Sequence, residues 1–118
     1  MKRLAALIAV ISLNAQAEFY DGNALYEEMR GTAIEKAMAL GYIMGAADAF
    51  RGISFCPQDN VTSGQLNDMV RRYLIANPDK RHYSADSIVI HVISGNWPCP
   101  KKGYDAASDR YYHFHFWQ

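Results

Sequence analysis

Histidine and cysteine side chains suit metal binding or nucleophilic catalysis, and this chain contains four histidines and two cysteines. A metal site needs three or four ligands that converge. His113 and His115 would put two imidazoles on one face of a strand, but His82 and His91 are far away in sequence. We therefore predict no metal site and no cofactor. Residues 101–118 are interpreted as an aromatic C-terminal tail, either a short edge strand or a segment docked on helices.

The compartment in which the cysteines function is indicated by the N-terminus. Lys2 and Arg3 precede ten residues, 4–13, that are apolar except for one serine, and residues 15–17 form a small-x-small cleavage site. The apolar run is too short to cross a bilayer as a helix. We predict a signal peptide, 1–17, that is cleaved after Ala17, and a mature chain that is periplasmic and has no membrane anchor.

The two cysteines, Cys56 and Cys99, are most simply one disulfide in an exported chain. An oxidised pair has no thiolate, so a cysteine nucleophile is disfavoured. Closing a loop of about 43 residues would constrain the unfolded chain by roughly 4 kcal/mol in the chain-entropy model. We therefore interpret the pair as a fastener of the fold.

Sequence motifs and charge exclude several further functions. The chain has no Gly-x-Ser-x-Gly elbow, no Ser-x-x-Lys, no glycine-rich phosphate loop and no His-Glu-x-x-His. Without residues 1–17 it carries 10 Lys and Arg against 12 Asp and Glu, a net charge of −2. That net charge does not provide the basic surface with which proteins bind nucleic acid or an anionic membrane. We predict no catalytic residues and favour a binding protein over an enzyme.

Four segments with helical periodicity predict an all-α fold. Asn23 is a candidate cap for a first helix. Capping boxes of the form S/T-x-x-E/Q begin at Thr32 and Thr62, and Gly52 is placed to end the second helix. Ser84 can cap a fourth helix, whose β-branched run 88–93 is also compatible with a strand. We predict a small bundle of about four helices, in which one disulfide clips the hairpin formed by the third and fourth.

The second helix has small residues at every fourth position, Gly41, Gly45 and Ala49. Small side chains at this spacing let another helix approach closely, and we predict that this face packs against the clipped hairpin. Asp48 and Arg51 are three positions apart, which predicts an ion pair. The alternative for Asp48 is a buried acid that binds a ligand.

Several short motifs in this order resemble the Rap/Tai family of exported bacterial immunity proteins, and the resemblance runs from about residue 22 to 100. The motifs are Gly22-Asn23-x-Leu25-Tyr26, Gly41-Tyr42-Ile43-x-Gly45-x-x-Asp48-Ala49, Phe55-Cys56-Pro57, Val61-Thr62, Gln65-Leu66, Val70-x-x-Tyr73-Leu74, Asn77-Pro78, Arg81-His82, Ser84-Ala85 and Trp97-Pro98-Cys99. The family neutralises peptidoglycan amidase effectors of type VI secretion.

The resemblance implies a helical periplasmic immunity-type domain over residues 18–100, often a homodimer, with the tail 101–118 outside the family pattern. It implies a cognate amidase toxin as the partner and steric occlusion of the toxin's active-site cleft as the mechanism. An alternative is a small periplasmic stress or chaperone-like protein, which would bind clients broadly at low pH. A third is an enzyme that depends on His113 or His115.

A polar, turn-rich loop between the second and third helices is the candidate partner-binding element. One side is pinned by Cys56 and the other by a capped helix, so binding would cost little ordering entropy. An ordinary helix connection is the equally weighted alternative, and the aromatic tail is a second candidate surface. The loop consists of Gln58, Asp59, Asn60, Val61, Thr62 and Ser63.

Overall fold

The described part of the chain, residues 19–58 and 60–100 of a computed structural model, is all-α as predicted. Its elements are α1 (Gly22–Arg30), α2 (Ala33–Phe50), α3 (Ser63–Ala76) and α4 (Ala85–Asn96), with a 3-10 turn at Pro78–Lys80. None of these helices has both the length and the apolarity that a membrane crossing requires. The predicted signal peptide, 1–17, and the aromatic tail, 101–118, lie outside the described residues.

Local capping explains where the helices begin. Both capping boxes are confirmed: the side chains of Thr32 and Thr62 each accept a hydrogen bond from the backbone N–H three residues on. The prediction that Asn23 caps α1 was wrong, since Asp21 accepts the bond from the N–H of Ala24 at 2.8 Å. Ser84 stands at the N-cap of α4 but makes no side-chain capping bond.

α4 is the most enclosed helix of the described chain and confirms the helical interpretation of its β-branched run. The start of α1 lies against the connection that precedes α4, where the N–H of Gly22 donates to the carbonyl of Tyr83 at 3.0 Å. α2 packs against each of the other three helices. The buried apolar side chains are Leu25, Met29, Ala39, Ile43, Ala47, Phe55, Leu66, Val70, Leu74, Ala85, Ile88, Val89, Ile90, Val92 and Ile93.

The face that α2 turns to the core is opposite to the one we predicted. Ala39, Ile43 and Ala47 are at most 2% exposed, and they form the buried stripe. Gly41 and Gly45 are exposed, and a Cβ built on either would meet no atom within 4 Å. The small residues therefore do not pack against the clipped hairpin; they lie on the outer side of α2.

The outer side of α2 is mostly apolar, with Asp48 exposed near its C-terminal end. We call it the α2 outer face and define it by five exposed residues, Ile34, Met38, Gly41, Gly45 and Ala49. The side chain of Ile34 is 75% exposed and that of Met38 is 59% exposed. No described residue covers this face.

Candidate functional site

The candidate loop begins at a firmly held end. The disulfide between Cys56 and Cys99 is present, with 4.8 Å between the two Cα atoms, as the sequence predicted. The N–H of Cys56 donates to the carbonyl of Trp97 at 2.9 Å. The rings of Phe55 and Trp97 meet edge to face, 5.9 Å apart. Covalent, hydrogen-bonding and aromatic contacts thus fix the same point.

Gly52 completes this end of the loop by terminating α2. Its φ of +80° lies in the left-handed region, where glycine is favoured, and it follows Arg51, the C-cap of α2, at the predicted C′ position. The N–H of Gly52 donates to the carbonyl of Phe55 at 2.9 Å, so the chain turns back at once toward the disulfide.

The other end of the loop is held by the cap of α3. The N–H of Thr62 donates to Oε1 of Gln65 at 2.8 Å, and the N–H of Gln65 donates to Oγ1 of Thr62 at 3.2 Å. The Thr62 side chain is therefore engaged within the chain. Ser63 then starts the helix with its side chain exposed.

Between these ends the loop presents few side chains to a partner. Gln58 and Asn60 are exposed, while Val61 is half-buried and packs against the hydrophobic core. Asp59 lies outside the described residues. Val61 belongs to the fold as well as to the loop, so its replacement by a charged residue would lower stability. Gln58, Asn60 and Ser63 are the side chains of the predicted set that this geometry leaves available for contact.

A shallow cavity of about 310 Å³ lies at the Ser63 end of the loop. It is formed by α1, α2 and α3, through Met29, Lys36, Leu40 and Asn67 among others. Because Ser63 and Lys36 share this cavity, the loop runs from the last turn of α2 back to the first turns of the same helix. The sequence predicted the loop but not this cavity, since its walls come from three separate segments.

The described histidines and tyrosines do not assemble a catalytic centre. His82 Nδ1 lies 2.8 Å from the carbonyl of Asp79, whereas His91 meets the ring of Tyr73 edge to face. Burial, with the nearby charge of Asp79 as a smaller cause, raises the pKa of Tyr73 above its usual value, so its hydroxyl stays protonated near neutral pH. No three metal-ligating side chains come together in residues 19–58 and 60–100. His113 and His115 lie outside those ranges.

Asp48 is neither a buried acid nor the partner of Arg51. Both side chains are exposed, and what joins the two residues is a backbone hydrogen bond of 3.4 Å at the end of α2. The ion pairs in the described part of the chain are Glu27 with Arg30 and Lys80 with Asp79. The sequence prediction of an Asp48–Arg51 ion pair was wrong.

The domain thus combines four packed helices with an exposed loop that is anchored at both ends. The family model of the Rap1a immunity proteins matches residues 21–99, which is most of the chain. The chain therefore belongs to the Rap1a immunity protein family, whose members are inhibitors rather than enzymes. A search of curated proteins found no match.

Membership of this family implies binding to a cognate effector toxin. The match begins at Asp21, the cap of α1, and ends at Cys99, the second half of the disulfide. It thus spans all four helices and the candidate loop, and it leaves the tail 101–118 outside.

Proposed function

We propose that this chain is exported to the periplasm, where it binds a peptidoglycan amidase effector of type VI secretion and blocks its active-site cleft. Family membership over residues 21–99 is the observation that carries the proposal. Export would follow from the signal peptide predicted at 1–17. The Cys56–Cys99 disulfide supports an oxidising compartment, because disulfides are rare in the reducing cytosol.

The loop and the neighbouring cavity supply the proposed contact surface. A cleft-blocking inhibitor binds best when its inserted segment is ordered beforehand, because less conformational entropy is then lost. The disulfide and the Thr62 capping box provide that order. Gln58 and Asn60 would enter the cleft, and the cavity beside Lys36 would receive a side chain from the rim of the enzyme.

Self-association is a further part of the proposal, since the resemblance implies a homodimer. Sedimentation velocity of the mature chain, 18–118, tests it directly. A single species with the mass of one chain at concentrations well above those used for binding would rule it out.

The test of the inhibitor proposal uses the mature chain and the product of the neighbouring gene, assayed as a peptidoglycan amidase. Asn60→Arg places a bulky cation on an exposed loop position, so it should weaken the complex and restore peptidoglycan hydrolysis while leaving the melting temperature unchanged. Asn23→Arg is the matched control. Asn23 is exposed in α1 beside the connection between α3 and α4, at the other end of α3 from Ser63.

The same two variants distinguish a wrong contact surface from a wrong function. If the mature chain inhibits the amidase and both variants do so equally, the loop is not the contact surface. If the mature chain neither binds the amidase nor rescues cells from its toxicity in the periplasm, the inhibitor proposal fails. Rescue by a form lacking residues 2–17 would contradict the export step.

A further inference from the structure

The α2 outer face is an apolar surface for which the described chain supplies no cover. Ile34 and Met38 stand at one end, and a Cβ built on Gly41 or Gly45 beside them would meet no atom within 4 Å. On the opposite side of the same helix, Ile43 is fully buried. A helix that is apolar on both sides is typical of one enclosed by its surroundings. A packing partner is therefore expected on the outer side.

The size of this face favours a tethered segment over a second copy of the chain. A helix of 18 residues is about 27 Å long and roughly 10 Å wide, which gives a footprint on the order of 300 Å². Stable interfaces between separate chains bury about 800 Å² per partner. A segment of the same chain needs far less area, because tethering supplies an effective concentration in the millimolar range.

We propose that the aromatic segment Tyr111–Gln118 of the tail packs on the α2 outer face. The sequence of this segment is YYHFHFWQ, which carries no charge when its histidines are neutral. The five residues of the α2 outer face are likewise uncharged, and Asp48 lies on the same side of the helix near its C-terminal end. Glycine and alanine at three of these five positions leave room for large rings.

The geometry of the chain allows this contact. The described chain ends at Pro100, next to Cys99, and the disulfide and the bridge between Phe55 and Pro98 hold this point against the turn that ends α2. Residues 101–110 can span up to about 33 Å, which exceeds the length of α2. The segment 111–118 can therefore reach any part of the face.

The pattern of the segment suits the polarity of the face. In an extended chain, Tyr112, Phe114 and Phe116 project from one side at intervals of about 6.7 Å, while His113 and His115 project from the other. One side of the extended segment would therefore offer three aromatic rings to the apolar face. The two histidines would then face water.

Methionine methyl signals in NMR provide the test, with the whole mature chain labelled at the methionine methyl carbon. Rings seated on the face shift the Met38 methyl signal upfield. Phe114→Ala combined with Phe116→Ala should return that signal to its random-coil position. His113→Ala combined with His115→Ala is the matched control on the other side of the segment and should leave it in place. Met69, on α3, serves as the internal reference in every spectrum.

A further variant changes the α2 outer face itself, so the test does not depend on the tail variants alone. Gly45→Phe places a ring on the face, and it should fold because a Cβ there meets no atom within 4 Å. It should displace the segment and so release the Met38 signal and raise the rate of chymotrypsin cleavage after the tail aromatics. Gly95→Phe, at an equally open position on α4, should change neither.

Other occupants of the face would overturn the proposal. An unshifted Met38 methyl in the wild-type chain means that the tail does not cover it. A shift that grows with protein concentration, together with a dimer in sedimentation, assigns the face to a second copy. A shift that arises only when the amidase is added assigns the face to the toxin. If the tail does not cover the face but the chain still inhibits the amidase, the tail proposal fails while the proposed function stands.

Discussion

Gly22 begins α1 at a position with no room for a larger side chain. A Cβ built there would overlap Cδ1 of Ile88 and lie 2.9 Å from the carbonyl oxygen of Arg81. The backbone at this point is also held, because the N–H of Asn23 donates to the same carbonyl at 2.9 Å. Contact between the first turn of α1 and the start of α4 thus depends on a missing side chain.

Gly22→Ala should therefore destabilise the domain by about 1–3 kcal/mol, the usual cost of overpacking a close contact. Gly95→Ala is the control, because a Cβ at Gly95 meets no atom within 4 Å. That change should be neutral or stabilise the protein by up to about 1 kcal/mol through helix propensity. Urea denaturation of both variants measures the difference, and equal stability would contradict the close packing.

Glu35 makes the stability of the domain depend slightly on pH. Its carboxylate accepts the backbone N–H of Thr32 at 2.6 Å, and this hydrogen bond lowers the pKa of Glu35 below its usual value. The folded state therefore binds fewer protons than the unfolded state between the two pKa values. The stabilisation is complete above the unfolded value of 4.5 and is lost as the pH falls through the folded one.

Glu35→Gln keeps a capping side chain but removes the charge. The variant should be slightly less stable than the wild type near neutral pH, and the two should converge as the pH falls below the pKa of the folded wild type. Melting temperatures between pH 7 and pH 3 measure this difference. A gap that stays constant over the whole range would show that the charge of Glu35 does not stabilise the cap.

At the scale of the element, α2 shows why its orientation could not be predicted from its sequence. Ala39, Ile43 and Ala47 recur at helical spacing, and so do Gly41, Gly45 and Ala49 half a turn away. Periodicity finds the core face of a helix only when the other face is polar. Both faces of α2 are apolar, so the choice is made by three other helices that packing brings together.

Alanine substitutions on the two faces of α2 should differ sharply. Ile43→Ala removes a fully buried side chain and should cost about 2–5 kcal/mol. Ile34→Ala, the same change at a residue that the described chain leaves 75% exposed, should cost less than Ile43→Ala, because only the tail is proposed to contact it. Chemical denaturation measures the free energy of unfolding of both variants. A larger loss of stability for Ile34→Ala than for Ile43→Ala would contradict the orientation of α2 seen in the structure.

Local signals were sufficient for the starts of α2 and α3 and for the end of α2. The Thr32 and Thr62 capping boxes and the Gly52 stop act within a few residues, so the sequence alone determines them. The candidate loop was found in the same way. The burial of Val61 and the cavity beside Lys36 depend on contacts between distant segments, and no local pattern predicts them.

At the scale of the whole molecule, the disulfide joins Cys56, which precedes α3, to Cys99, which follows α4. It closes a stretch with a sequence separation of 43 that includes both of these helices. In a domain of this size the cross-link is a large part of the stability, since small domains are stable by only about 5–15 kcal/mol in total.

Reducing the disulfide should lower the free energy of unfolding by about 4 kcal/mol in the chain-entropy model, with a marked fall in melting temperature. Cys56→Ser should reproduce the effect without reductant, and adding reductant to that variant should change nothing more. Calorimetry with and without dithiothreitol measures both. An unchanged melt in reductant would mean that the cross-link contributes nothing to stability.

The bond between Cys56 and Cys99 also makes α3 and α4 part of a closed covalent ring. A protease that cuts one peptide bond inside this ring, for instance in the connection around Pro78, leaves the two products attached to each other. The helices on either side of the cut would remain in place, held by the core that they share. The domain therefore tolerates a nick between its third and fourth helices that would split an uncrosslinked chain in two.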